Sequence, residues 1–201
     1  YADRDRYVAD PRFVAVPLEG LLDKGYLDNR AQLIGERAAA GVPEAGTPPG
    51  AVMTRSGIDA TDEVPGTSHF VIVDDQGDVI SMTTSVESLF GSGRAVGGFF
   101  LNNQLTDFSF TAVDAAGRPV ANAVAGGKRP RSSMSPAIVL RKADGAFVAA
   151  VGSPGGSAIL AYNAKALIAL LAWRLPLQQA IELPNLIARG TDYFGEATKF
   201  Q

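Results

Sequence analysis

The residues of this 201-residue chain that could do chemistry are hydroxyl and carboxylate side chains. The sequence has no cysteine, which excludes disulfides, thiolate metal sites and a cysteine nucleophile. His69 is the single histidine, so a metal site built from several histidines is impossible. A Ser-His-Asp triad would have to use His69 itself, and we interpret it instead as a strand histidine.

Thr67 lies where a segment rich in proline and glycine, residues 42–65, meets the β-prone sequence 68–73. A hydroxyl is a poor nucleophile until a base takes its proton. An N-terminal α-amine, with an unperturbed pKa of about 7.7–8.0, can be that base within the same residue. Such an amine requires cleavage of the Gly66–Thr67 bond. Taken alone, Thr67 is more simply explained as the first residue of a strand.

Two polar blocks follow Thr67 along the chain. The first, LNNQLTDF, contains Gln104 and Asp107, which could accept hydrogen bonds from an ammonium group. The second, KRPRSSMSP, contains Ser132 and Ser133. We interpret the basic residues of this block, which include Arg131, as a solvated loop that adds positive potential.

A third block, GSPGGS, contains Gly155 and Gly156 just before an apolar helical sequence. Glycines there allow backbone N–H groups to point at a developing oxyanion, and a helix N-terminus favours negative charge. A simple strand-to-helix turn explains the same residues. No GxxxxGK[ST] motif is present, so a nucleotide site is not indicated.

The elements that must position these residues are two predicted hairpins followed by helices. The hairpins pair residues 68–73 with 79–86 and residues 137–140 with 147–151, and the helices run to about Leu171 and over 177–183. This order predicts an α+β layered fold, and apolar residues on both faces of each hairpin predict that both faces are covered. Residues 1–42 should be helical or irregular, and 42–65 an exposed, mobile linker.

Composition limits the class of partner. Apolar residues make up 46% of the chain and the net charge is −3, which is typical of a globular protein and gives no basic stripe for nucleic acid or an anionic membrane. The longest apolar stretch, residues 158–171, is interrupted by polar residues and too short to cross a bilayer. The chain begins in mid-pattern and stops at TKFQ, so we expect a piece of a larger protein.

Together, TSHF with its hairpin, LNNQxxDF, KRPxSSMSP and GSPGGS resemble the small subunit of the γ-glutamyltranspeptidases, a family of N-terminal-nucleophile hydrolases. The resemblance extends over residues 2–184. It implies that residues 1–66, including DRYVADPRFVAVP, are the C-terminal part of the large subunit with the linker. Residues 67–201 would be the catalytic small-subunit region, incomplete at its C-terminus. The implied fold is part of a four-layer αββα sandwich, with antiparallel strands and outer helices.

The resemblance also implies a role for each matching residue. Thr67 would be the nucleophile, and Ser85, in place of a threonine, would support it. Substrate would be held through its α-amino group by Gln104 and Asp107 and through its α-carboxylate by Ser132 and Ser133, while Gly155 and Gly156 would form the oxyanion hole. Glu87 stands where the family commonly has asparagine against the amino-acid part of the substrate.

The implied activity is cleavage of a γ-glutamyl amide, as in glutathione, through an acyl-enzyme on Thr67 after autocleavage. Water or an amino acid or peptide would accept the acyl group, and no metal or organic cofactor is implied. The missing half of the large subunit would be a partner, and oligomers are compatible with the sequence. The resemblance implies a periplasmic or secreted protein, and the cysteine-free composition also suits the cytoplasm.

Two alternatives stay open. Glu87 would repel a substrate carboxylate nearby, which favours a related acylase that acts on cephalosporin or glutaryl amides. The other alternative is an uncleaved, inactive chain, because the amide nitrogen of an uncleaved Thr67 cannot serve as a base.

Overall fold

The computed structural model describes residues 1–37, 39, 41–52, 57–61, 66–189 and 192–195. The chain forms two compact units. The first unit consists of Tyr1–Asp62, Leu105–Ser132 and Arg189–Thr191, and the second unit of Glu63–Gln104, Ser133–Ala188 and Asp192–Gln201.

The first unit begins with three short helices, α1 (Ala2–Tyr7), α2 (Leu18–Leu21) and α3 (Lys24–Ala31). Helix α3 begins after Asp23, whose carboxylate accepts a hydrogen bond of 2.8 Å from the backbone N–H of Tyr26. Such a cap contributes about 1 kcal/mol because it satisfies a donor that the first helical turn leaves open. The prediction of helical and irregular structure for this part of the chain is confirmed.

The interior of the first unit mixes apolar and charged side chains. Phe108 and Val120 are buried, and so are Asp59, at 2% exposed, and Arg131, at 3%. Two predictions are therefore wrong here: Asp59 lies in the supposedly exposed linker, and Arg131 in the supposedly solvated basic loop. Their mutual ion pair, with 3.2 Å between Arg131 Nη2 and Asp59 Oδ2, explains why both can be buried.

The second unit is built from antiparallel hairpins, as predicted. Strand β1 (Thr67–Val73) pairs with β2 (Val79–Ser85) from Thr67↔Ser85 to Val73↔Val79. Strand β5 (Ala137–Leu140) pairs with β6 (Phe147–Val151) from Ala137↔Val151 to Leu140↔Phe147. The short strands β3 (Ala95–Val96) and β4 (Phe99–Phe100) form a further antiparallel pair. Among the described residues, a last strand pair is formed by β7 (Leu186–Arg189) and β8 (Asp192–Gly195).

Helices follow the second hairpin, also as predicted. A 3-10 turn, Gly156–Ala158, leads into α4 (Ile159–Leu167), which continues as a π-helical segment, Ile168–Ala172, and is followed by α5 (Leu177–Glu182). The buried amide of Asn163 ties α4 to the chain before β5 through 2.9 Å hydrogen bonds to Ser135. Among the described residues, no helix is long and apolar enough to cross a membrane.

The apolar faces of the first hairpin are exposed in this chain. Phe70 and Ile72 on β1, and Ile80 and Met82 on β2, keep between 41% and 54% of their surface accessible. The α+β arrangement is confirmed, but the prediction that each sheet face is covered is wrong for the first hairpin.

His69 connects the first hairpin to the end of β6. Its Nδ1 lies 2.9 Å from the hydroxyl oxygen of Thr83 on β2, and its ring lies against Gly152. A methyl group placed on Gly152 would lie 2.1 Å from the His69 ring, so glycine permits this close approach. Ser81 adds a longer hydrogen bond, 3.4 Å, to the carbonyl of Val151.

We expect Gly152→Ala to lower the free energy of unfolding by about 1–3 kcal/mol, because the added methyl overpacks the contact and forces the imidazole away from Thr83. Urea denaturation of the purified protein, followed by circular dichroism, measures this loss. Gly126→Ala is the matched control, since a methyl there meets nothing within 4 Å. Both substitutions restrict the unfolded chain similarly, so their difference reports the contact.

The double variant His69→Ala/Gly152→Ala should lose less stability than the sum of the two single variants, because removing the ring makes room for the methyl. Strictly additive losses would show that the two residues do not act on each other.

Candidate functional site

A cleft of about 630 Å³ lies within the second unit, at the start of β1 and the end of β2. Thr67 and Ser85 line it from the hairpin, Gly155 from the turn before α4, and Tyr162 from α4 itself. Further lining comes from Gly66, Ser68, Thr84, Val86, Leu89 and Pro154. The cleft therefore brings together one predicted nucleophile and one predicted oxyanion-hole residue.

The register of the first hairpin places Thr67 opposite Ser85. The Thr67 hydroxyl donates to the Ser85 hydroxyl over 3.3 Å, and the Ser85 hydroxyl donates to the carbonyl oxygen of Gly66 over 3.1 Å. The backbone N–H of Glu87 also donates to the Ser85 oxygen, at 2.9 Å. Ser85 thus bridges the candidate nucleophile and the carbonyl of the peptide bond that precedes it.

Gly66 occupies a position that tolerates no side chain. A methyl group placed there would lie 1.3 Å from the backbone carbonyl oxygen of Glu87. Because backbone atoms cannot move aside as a side chain can, any larger residue would displace the Gly66 carbonyl from Ser85. The close approach explains why glycine precedes Thr67.

Glu87 is buried, at 6% exposed, and its backbone has φ 75°, the left-handed region that non-glycine residues rarely adopt. Its carboxylate accepts a hydrogen bond of 2.9 Å from the side-chain amide of Gln104. The adjoining residues fix this pair, since Ser88 and Asn103 exchange two hydrogen bonds of 2.8 and 2.9 Å. The structure thus joins Glu87 and Gln104, which the sequence placed 17 residues apart.

Gly155 and Gly156 both have positive φ, 131° and 55°, at the turn that begins the helical segment. Gly155 packs against the ring of Tyr162, where a methyl group would lie 2.9 Å from a ring carbon. The turn therefore needs glycine for backbone conformation as well as for space. It leads directly into the 3-10 turn and α4.

The remaining predicted site residues lie elsewhere. Ser133 belongs to the second unit and is buried, whereas Asp107 and Ser132 belong to the first unit. Within the first unit, the backbone carbonyl of Asp107 accepts a hydrogen bond of 2.7 Å from Asn122. The roles predicted for these three residues remain predictions.

Three features of the site were missed by sequence reasoning. These are the hydrogen bond from Ser85 to the Gly66 carbonyl, the contact of His69 with Gly152, and Tyr162 in the cleft wall. Only the first could have been anticipated from the sequence, because a hairpin centred on the Asp74–Gly77 turn places Ser85 beside Thr67. Among the described residues, no three histidine, aspartate or glutamate side chains are grouped to hold a metal ion.

Curated relatives are similar in sequence to most of this chain. The glutathione hydrolase proenzyme of Bacillus subtilis (strain 168) is 39% identical over 193 residues, which is 92% of this chain and 32% of the relative. The glutathione hydrolase proenzyme of Pseudomonas aeruginosa is 38% identical over 96% of this chain and 34% of its own length. The Acylase ACY 1 proenzyme of Pseudomonas sp. (strain SE83) is 34% identical over 94% of this chain and 31% of its own. The chain thus spans about a third of the length of the curated relatives it matches.

Solved structures agree on the fold. The T380A mutant of the Helicobacter pylori γ-glutamyltranspeptidase matches with a TM-score of 0.54 and 31% identity, over 61% of this chain and 68% of that one. The γ-glutamyltranspeptidase of Pseudomonas nitroreducens, complexed with L-DON, matches with a TM-score of 0.54 and 38% identity, over 61% and 65%. At 31% and 38% identity, both structures resemble this chain in sequence as well as in fold.

The family model described as Gamma-glutamyltranspeptidase matches residues 1–196, nearly the whole chain. The match includes both sides of the Gly66–Thr67 bond and every residue that contacts Ser85 in the cleft. On this match, and on the relatives and structures that agree with it, the chain belongs to the γ-glutamyltranspeptidase family.

Proposed function

We propose that the whole protein hydrolyses γ-glutamyl amides, or transfers their γ-glutamyl group, through an acyl-enzyme on Thr67 that forms after the chain cleaves itself before this residue. The observation that carries the proposal is the Ser85 hydroxyl, which accepts from the Thr67 hydroxyl and donates to the Gly66 carbonyl. This arrangement holds a nucleophile beside a carbonyl group that a donor already polarises.

Self-cleavage then proceeds by a transfer of the Gly66 acyl group from nitrogen to oxygen. The Thr67 oxygen attacks the Gly66 carbonyl carbon, and Ser85 donates to the oxyanion that develops. The C–N bond breaks, the hydroxyl proton ends on the released Thr67 amine, and an ester joins the two residues. Water hydrolyses that ester and leaves a Gly66 carboxylate and a free Thr67 amine.

The released α-amine supplies the base that the uncleaved chain lacks. It takes the Thr67 hydroxyl proton as the oxygen attacks the substrate's γ-carbonyl, and the N–H groups around Gly155 and Gly156 receive the oxyanion. The amine leaving group departs with the proton. Water or the amino group of an acceptor amino acid or peptide then takes the acyl group from Thr67 by the same steps in reverse.

Glu87 and Gln104 are proposed to bind the substrate's α-ammonium. Glu87 is a buried carboxylate beside a side-chain amide, and a charged group in such a place favours a cationic partner with N–H donors. Asp107, Ser132 and Ser133 retain their predicted roles, the first on the ammonium and the two serines on the α-carboxylate.

The exposed apolar faces of the first hairpin call for a covering layer. Isolated two-stranded sheets are at best marginally stable, and apolar patches of this kind mark surfaces that pack against other structure. We propose that sequence belonging to the rest of the protein, which in the curated relatives is about twice as long as this chain, covers them.

The second candidate function is amide hydrolysis on a substrate without an α-ammonium, such as a glutaryl amide. The similarity to the Acylase ACY 1 proenzyme favours it. Glu87, whose charge taken alone favours the acylase, argues against it beside Gln104, because this pair offers the carboxylate and amide oxygens that an ammonium group uses and a glutaryl amide does not.

We expect Ser85→Ala to slow cleavage of the Gly66–Thr67 bond about 100-fold or more, because the donor to the developing oxyanion is lost. Ser85→Thr keeps the hydroxyl and should cleave within about tenfold of wild type. Intact mass under denaturing conditions, followed over time in the full-length protein, measures the fraction cleaved.

Thr67→Ala should remain one chain, since it has no attacking oxygen. Ser92→Ala is the matched control, because Ser92 also donates to a backbone carbonyl, that of Leu101, but lies outside the cleft lining. Wild-type protein that stays uncleaved, or cleaves elsewhere, would refute Thr67 as the nucleophile.

We expect Glu87→Gln to raise KM for γ-glutamyl-p-nitroanilide about tenfold or more, because a charge-assisted contact to the ammonium is lost. Glutamine has the same side-chain length and a similar backbone preference to glutamate, so the substitution changes the charge and not the strain of the left-handed backbone. The matched substrate is glutaryl-p-nitroanilide, which lacks the ammonium, and its KM should stay the same or fall. Equal changes for both substrates would contradict the assignment, and wild-type turnover of the glutaryl amide alone would favour the second function.

A further inference from the structure

Tyr162 is the fourth residue of α4 and lines the cleft together with Thr67 and Gly155. Side chains on a helix point back towards its N-terminus, so the Tyr162 ring lies over the turn from which α4 begins. A methyl group placed on Gly155 would lie 2.9 Å from the ring atom Cε2 and 3.4 Å from Cδ2. All of these residues belong to the second unit, so the contact is internal to it.

The turn that the ring contacts consists of two glycines with positive φ. Glycine adopts φ values of either sign with similar ease, so such a turn has little conformational preference of its own. The Gly155 carbonyl accepts from the N–H of Ala158 at 3.0 Å, whereas neither Gly155 nor Gly156 donates its own N–H to a group among the described residues. Hydrogen bonds therefore leave the direction of these two N–H groups open, and packing must restrain it.

The helix that carries Tyr162 is itself held firmly. Ile159 and Asn163, four residues apart on one face of α4, are 1% and 5% exposed. The amide of Asn163 is fixed by its two hydrogen bonds to Ser135. A ring on a helix anchored in this way is a rigid support for the turn.

We propose that Tyr162 is a positioning residue, whose ring holds the Gly155–Gly156 turn in the conformation that directs its N–H groups at the substrate's oxyanion. This inference rests on the proposed function, because it concerns the same acyl transfer. In that function Ser85 donates to the oxyanion of self-cleavage and the turn donates to the oxyanion of the substrate. Tyr162 therefore serves turnover and is not needed for cleavage.

This role has a distinct kinetic signature. The oxyanion develops only as the Thr67 oxygen adds to the carbonyl, so support of the turn stabilises the transition state and not the bound substrate. Formation and breakdown of the acyl-enzyme both pass through an oxyanion at this place. A loosened turn should thus lower kcat, whichever step is slower, and leave KM almost unchanged.

The test compares Tyr162→Ala with wild type in the full-length protein. Alanine removes the ring and is the best helix former, so α4 keeps its helical propensity. For γ-glutamyl-p-nitroanilide, we expect kcat per free Thr67 N-terminus, counted by N-terminal labelling, to fall at least about tenfold, while KM stays within about threefold. Cleavage before Thr67, followed by intact mass over time, should proceed at the wild-type rate. A general structural role would slow cleavage as well.

Two further variants separate the ring from the hydroxyl and from general effects. Tyr162→Phe keeps the ring, so its kcat should return to within about threefold of wild type. Trp173→Ala is the matched control, because Trp173 is an aromatic residue directly after the π-helical segment that continues α4, is 62% exposed and lies outside the cleft lining. It should leave kcat and KM unchanged.

If Tyr162→Ala fails to fold, Tyr162→Leu takes its place. Leucine fills part of the same space but has no atom equivalent to Cε2, the ring atom nearest to Gly155. It should lower kcat several-fold and leave cleavage at the wild-type rate.

Three results would overturn the inference while leaving the proposed function intact. The first is wild-type kcat in the variant without the ring. The second is an equal loss of kcat in Tyr162→Phe, which would assign the effect to the hydroxyl. The third is a parallel fall in cleavage and in turnover. A wild-type protein that never cleaves, or that cleaves and does not turn over the γ-glutamyl amide, would instead refute the proposed function itself.

Discussion

The register of the first hairpin is the constraint on which the candidate site depends. It sets Thr67 opposite Ser85, and from that pairing follow the two hydroxyl hydrogen bonds that reach the Gly66 carbonyl. A slip of one residue would turn every side chain of the strand to the other face. The Asp74 carboxylate helps to prevent such a slip, because it accepts from the N–H groups of Gln76 and Asp78 and so fixes the turn.

Sequence reasoning predicted most of the elements of the second unit. Both long hairpins and both helices after them were located because apolar runs, glycine turns and proline boundaries are local signals. The pairing of Ser85 with Thr67 followed from their nearly equal distances along the chain from the hairpin turn at Asp74–Gly77. The strand pair formed by β7 and β8 was not predicted, since neither strand has a clear apolar alternation.

Features that depend on long-range contacts could not be predicted. Arg131 looks like any residue of a basic loop, and only its partners Asp59 and Asp5, more than 70 residues away, explain its burial. Gly152 looks like one more loop glycine until the His69 ring is placed against it. The exposed hairpin faces were mispredicted for the opposite reason, because an apolar pattern indicates a covering layer but does not show whether that layer belongs to the same stretch of chain.

The left-handed backbone of Glu87, with φ 75°, limits how this site can change over evolution or in design. Asparagine and glycine adopt that conformation most easily, whereas β-branched residues such as threonine or valine are strained in it. Replacement of the charged side chain at this position by an uncharged one is therefore easiest with asparagine. Backbone geometry therefore restricts which side chains descendants of this sequence can carry at position 87.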